Sequence, residues 1–119
     1  MYKNGVLVAD TAGETSATTI KNSTANFFIG CNQDTNVATN FFDGLIDEVR
    51  VWSDIRTVPE ILNNYKRELV GNEANLVGYW RLNNDYLDQT SNNNDLTASG
   101  SPVFSTSVPF TEAGFLAFL

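Results

Sequence analysis

The residues best suited to chemistry in this sequence are carboxylates and amides. Asp47 and Glu48 sit side by side in an apolar stretch, and Asp85 and Asp88 precede the triplet Asn92-Asn93-Asn94. Paired carboxylates are the acid–base machinery of glycoside hydrolysis. Together with amide oxygens they are also the ligand set of hard cations such as calcium. The chain has no His and one Cys, Cys31. Imidazole acid–base chemistry, His-ligated zinc, CxxC metal sites and an intrachain disulfide are therefore excluded. With no His to activate it, Cys31 reads as a small buried apolar residue. The charge balance is 7 basic against 14 acidic residues, a net charge of -7, so no nucleic acid partner is expected.

The second group with chemical potential is aromatic. Trp52, Tyr79 and Tyr86 lie near Asn83 and Asn84. Ring faces flanked by amides suit the stacking and hydrogen bonding of a carbohydrate, but the stronger reading is that Tyr and Trp are core or half-buried.

These residues need elements to position them. The 15 Asn and 12 Thr against 3 Lys favour strands and turns over helices, hence an all-β chain. Asn4-Gly5 is a two-residue hairpin signal, followed by a strand over 5–9. A loop is expected over 10–18, a strand over 19–30 with Phe27-Phe28-Ile29 as its apolar part, and a loop over 31–40. From Leu45 a period of two puts Leu45, Asp47, Val49 and Val51 on one face and Ile46, Glu48, Arg50 and Trp52 on the other. Asp47 then sits on the more apolar face and must be compensated. Glu48 and Arg50 could contact a ligand, but same-face cross-strand pairing on a solvated sheet is the favoured reading. Thr57-Val58-Pro59-Glu60 is a capping box that opens one helix over 57–69, closed by Gly71. A strand over 75–82 splits Leu76, Gly78, Trp80 and Leu82 from Val77, Tyr79 and Arg81. Asn83 to Asn94 reads as a loop, with short strands over 95–98 and 102–109. The apolar end, 111–119, is a tail or stub far too short to cross a membrane, and no membrane insertion is expected. Asn22-Ser23-Thr24 fits the glycosylation acceptor pattern, a match common by chance in so Asn- and Thr-rich a chain.

Taken in order, these pieces carry a resemblance. Tyr2-Lys3-Asn4-Gly5-Val6-Leu7-Val8 resembles the Asn-Gly hairpin of concanavalin A-like lectin domains of the laminin G (LamG) and pentraxin type. Phe42-Asp43-Gly44-Leu45-Ile46-Asp47-Glu48-Val49-Arg50-Val51-Trp52 is similar to that family's most specific signature. Arg56 to Leu69, Leu76 to Leu82 and Asp88 to Leu96 follow in the family's order. The resemblance implies an antiparallel jelly-roll β-sandwich, of which residues 1–110 supply the C-terminal part, the N-terminal strands being absent. It implies a non-catalytic, lectin-like module for a carbohydrate or protein ligand, acting outside the cell, at the cell surface or on a virion. The alternative is a structural or adhesion module whose exposed strand edges pair with a partner chain or with itself, as a homo-oligomer.

The resemblance also implies structural calcium near Asp47, with Asp85 or Asp88 as a second carboxylate and Asn93 or Asn94 as an amide ligand. Without the ion, Asp47 would accept backbone N–H bonds or pair with Arg56 or Arg81. Jelly-roll hydrolases carry their carboxylates at alternating positions of one strand. Asp47 and Glu48 are adjacent, point to opposite faces and cannot serve one substrate, so no enzymatic activity is expected.

Overall fold

The computed structural model describes residues 1–8, 26–34 and 37–107. The expected loop over 10–18, the first part of the strand over 19–30, Asn22-Ser23-Thr24 and the tail over 111–119 lie outside the described residues.

Six strands and one helix are described: β1 (Tyr2–Lys3), β2 (Val6–Leu7), β3 (Asn32–Asp34), β4 (Val37–Thr39), β5 (Val49–Trp52), α1 (Val58–Asn64) and β6 (Leu76–Trp80). They pair antiparallel as β1–β2, β3–β4 and β5–β6. The mostly-strand composition with one short helix is as expected. No strand lies within 95–107, and the 31–40 region expected as a loop contains the β3–β4 hairpin. That hairpin went unread because its strands carry no run of β-branched or aromatic residues.

The Asn4-Gly5 turn forms as its residues demand. Asn4 and Gly5 both take positive φ, at 52° and 76°, and the register pairs Lys3 with Val6. Gly5 has a second constraint. A Cβ there would meet the Leu62 side chain at 2.9 Å and the Tyr65 ring at 3.1 Å, so the turn is pressed against α1.

The helix begins where predicted and ends early. The Glu60 carboxylate accepts from the Thr57 N–H and hydroxyl, each at 2.7 Å. The last helical residue is Asn64, not the expected 69. Two competitors end it. The Asn64 amide donates back to the Glu60 carbonyl, and Arg50 donates to the carbonyls of Asn64 and Arg67. Carbonyls held from outside satisfy the end of the helix without further turns. Leu69, freed from the helix, is buried with Leu76 and Tyr79, and Trp52 packs against this cluster.

Strand β5 begins at Val49, because Glu48 takes φ 55° and breaks the extended run. A bulge between Val51 and Trp52 pairs Val51 with Gly78 and Trp52 with Leu76. It passes over Val77, so Leu76 joins Tyr79 in the cluster and leaves the predicted company of Gly78, Trp80 and Leu82. The β5–β6 ladder thus has two unlike sides. One carries Arg50, Trp52, Leu76 and Tyr79; the other carries Val51, Gly78 and Trp80.

Candidate binding groove

The second side of the ladder is the floor of an open groove of about 1340 Å³. The Trp80 indole lies across Gly78, where any side chain would strike its ring. Its Nε1 donates to the Asn94 carbonyl at 2.9 Å, which ties the 94–107 segment to the floor. Phe27 stacks on Trp80 with centroids 5.7 Å apart, and Tyr86 meets Phe104 at 4.9 Å. The Phe42 N–H bonds to the Gly30 carbonyl and joins two of the wall segments. Phe27, Phe42 and Leu45 are 58%, 60% and 65% exposed along this groove.

The groove's charges are acidic. Among the described residues, Asp47 and Asp95 line it and no Lys or Arg does. Burial raises the Asp47 carboxyl above its usual value, the Glu48 N–H opposes this, and the Glu68 charge adds to the rise. Asp47 accepts the Glu48 N–H at 2.9 Å, while Arg56 pairs with Asp54 and Glu60, and Arg81 with Glu68.

The first side of the ladder is sealed. Tyr79 is fully buried; its hydroxyl donates to Glu48 at 2.7 Å and accepts the Leu69 N–H at 3.1 Å. Arg50 pairs with Glu48 and lies 5.3 Å from the Tyr79 ring centre. Glu48 and Arg50 pair with each other along the chain and not across strands, and with side chains only 9% and 12% exposed they are not on a solvated face. Burial, and next the Glu48 bond, raise the Tyr79 hydroxyl above its usual value.

The ligand-binding residues read from the sequence are divided by this arrangement. Tyr79 has no free ring face, so it is a core residue and not a stacking platform. Trp52 packs against the core, with Arg56 4.0 Å over its ring. Asn83 donates to Glu68, and Asn84 is exposed at φ 68°. Only Tyr86 of the five lines the groove. Phe27, Phe42, Trp80 and Phe104 were not singled out. The doublets Phe27-Phe28 and Phe41-Phe42 were the available signal, but an apolar pair in a chain looks the same whether it fills a core or a groove.

Of the residues read as metal ligands, Asp47, Asp85 and Asp88 do not gather as one group of three carboxylates. Both Asp88 oxygens are occupied: Oδ1 accepts from the Tyr79 and Thr90 N–H groups, and Oδ2 from the Asn94 N–H and the Thr90 hydroxyl. Burial would raise the Asp88 carboxyl, but these donors outweigh it and hold it below its usual value. Asp85 accepts the Leu87 N–H, and the Asn93 amide donates to the Ser91 carbonyl. Among the described residues, no three Asp, Glu or Cys side chains converge to hold an ion. Asp88 is a loop organiser, joining β6 to 90–94 where a ligand shell would need free lone pairs.

Comparison with known proteins bears on the first half of the chain. A family model described as the concanavalin A-like lectin/glucanases superfamily, of the laminin G type, matches residues 1–62. No curated protein and no solved structure matches the chain. The match takes in the Asn4-Gly5 hairpin, the Phe42–Trp52 signature and the start of α1. With more than half of its length matched, the chain belongs to the concanavalin A-like lectin/glucanases superfamily.

Proposed function

We propose that the chain is a non-catalytic binding module, part of a jelly-roll sandwich, whose ligand surface is the groove on the open side of β5–β6. One observation carries this reading: exposed Phe27, Phe42 and Leu45 surround a floor of Trp80 and Gly78. Contiguous apolar surface of this kind marks interaction sites. The structural or adhesion role, in which a partner polypeptide covers the groove, fits its apolar walls best. A position outside the cell, on its surface or on a virion accords with the laminin G type.

Carbohydrate is the second reading. Tyr86, Asn94, Asp95 and Ser99 among the residues that line the groove favour it. Absence of catalysis is supported by Asp47 and Glu48, which diverge: Asp47 lines the groove, whereas Glu48 bonds Tyr79 on the sealed side. Among the described residues no helix is long and apolar enough to cross a membrane.

Glycan-array binding combined with Phe42→Ser and Tyr86→Ala tests the choice. Glycan binding lost in both variants would favour carbohydrate. No glycan binding, with binding of the environment-sensitive apolar dye Nile red lost in Phe42→Ser, would favour a polypeptide. Groove variants that bind every ligand as the parent does would sink the proposed site. Turnover of any glycan would overturn the non-catalytic reading.

A further inference from the structure

The size and walls of the groove narrow its occupant. Its volume of about 1340 Å³ exceeds the roughly 300–1,000 Å³ typical of small-molecule pockets. Its walls are lengths of backbone outside any helix or strand, over 26–31, 41–47 and 94–107. Over 97–107 the one hydrogen bond among described residues is from the Ser107 N–H to the Ser105 hydroxyl. Over 26–29 the described residues make none to one another. Backbone N–H and C=O groups left without protein partners are matched by the backbone of an extended polypeptide, which supplies donors and acceptors in series. A sugar supplies a few hydroxyls and no such series.

The charge of the groove selects further. Asp47 and Asp95 are its only charged side chains among the described residues. Each has one oxygen engaged, Asp47 with the Glu48 N–H and Asp95 with the Asp88 N–H. The whole chain carries a net charge of -7, which repels a second copy of itself and attracts a cationic partner.

We propose that the groove seats an extended segment of a different polypeptide, apolar on the side facing Trp80 and Phe42 and carrying Lys or Arg opposite Asp47 and Asp95. The inference rests on the groove being the ligand surface and adds the class of partner. The segment lies extended along the groove, its side chains alternating between the aromatic floor and the acidic rim.

The test uses a short alternating valine–lysine peptide and its valine–glutamate counterpart, titrated against the whole chain and followed by Trp fluorescence and amide NMR shifts. The lysine peptide is expected to bind roughly tenfold more tightly than the glutamate one, from two partly exposed charge pairs. The preference should shrink in high salt. The shifts should fall on 26–31, 41–47 and 94–107. The double variant Asp47→Asn, Asp95→Asn keeps both engaged oxygens as amide oxygens. It should erase the preference without moving Tm by more than a degree or two. Equal binding of both peptides, or none, while Nile red still titrates the parent and not Phe42→Ser, overturns the extended-segment proposal and leaves the groove reading standing. Failure of the dye as well overturns both. A concentration-dependent dimer whose interface protects the same amides overturns the foreign partner in favour of a second copy.

Discussion

The two sides of the β5–β6 ladder solve the same problem differently. Both present aromatic residues of one strand, Tyr79 on one side and Trp80 on the other. On the Tyr79 side the chain folds back over itself. The 64–69 segment covers the ring, Leu69 and Trp52 pack beside it, and Arg50 clamps two carbonyls of the covering turn. On the Trp80 side the described residues supply Phe27 and a rim, and the groove stays open. Adjacent residues of a strand face opposite ways, so one short ladder is half stability and half surface. Mutations on the two sides should separate accordingly.

The largest effect is expected for Tyr79→Ala, which removes a fully buried ring and both hydroxyl bonds. Denaturant unfolding should show a loss of about 3–5 kcal/mol. A loss under about 1 kcal/mol would mean the sealed side is not the core of the fold.

Next comes Asp88→Ala, expected to cost about 2–4 kcal/mol by leaving buried N–H groups without an acceptor. The same residue sets an acid dependence. Its carboxyl is held below the usual value of 3.8 in the fold. The stabilisation is therefore complete above that value and is lost as pH falls through the lower, folded-state value. Melting curves below about pH 4 should fall less steeply in Asp88→Asn than in the parent. Parallel curves would remove Asp88 as the cause.

Glu48→Gln should cost about 1.5–3 kcal/mol, since it discharges one partner of a buried charged bond. The effect is smaller than for Tyr79 because the Arg50 guanidinium keeps its backbone carbonyls. Across the ladder, Phe42→Ser should change stability by no more than about 0.5 kcal/mol, as expected for an exposed site. It should still abolish dye binding in the groove. A large loss of stability there would show that the groove is core, and would end the contrast between the two sides.

The smallest expected effect is that of calcium. Both Asp88 oxygens already accept protein donors, and Asp47, Asp85 and Asp88 do not gather as one group of three carboxylates. Melting temperature should be the same in calcium and in chelator. A rise of several degrees would show that the ion assembles its own cage.

Local chemistry was readable before the fold. Asn4-Gly5 needs positive φ at two successive residues, and Thr57 with Glu60 closes a ring of bonds within one turn; neither depends on distant residues. The alternation expected from Leu45 holds only within β5. Val51 faces the groove and Arg50 and Trp52 the other side, whereas Ile46, expected opposite Leu45 and Asp47, lines the groove with them because the chain is not extended before Val49. The helix end was hidden, because what stops it is Arg50, a residue of an earlier strand. The β6 faces were misassigned at Leu76 because a bulge is a property of a pair of strands.

The sequence by itself determined the turn, the helix start, the alternation of faces within β5, the exclusion of His and disulfide chemistry and the family signature. Each of these follows from neighbours along the chain or from composition. Only the tertiary structure decided that Tyr79 is core and Trp80 is floor, that Asp88 organises a loop, and that the aromatic surface opens between segments more than fifty residues apart. Burial and lone-pair occupancy depend on which distant atoms arrive at a side chain, and nothing in local spacing encodes that.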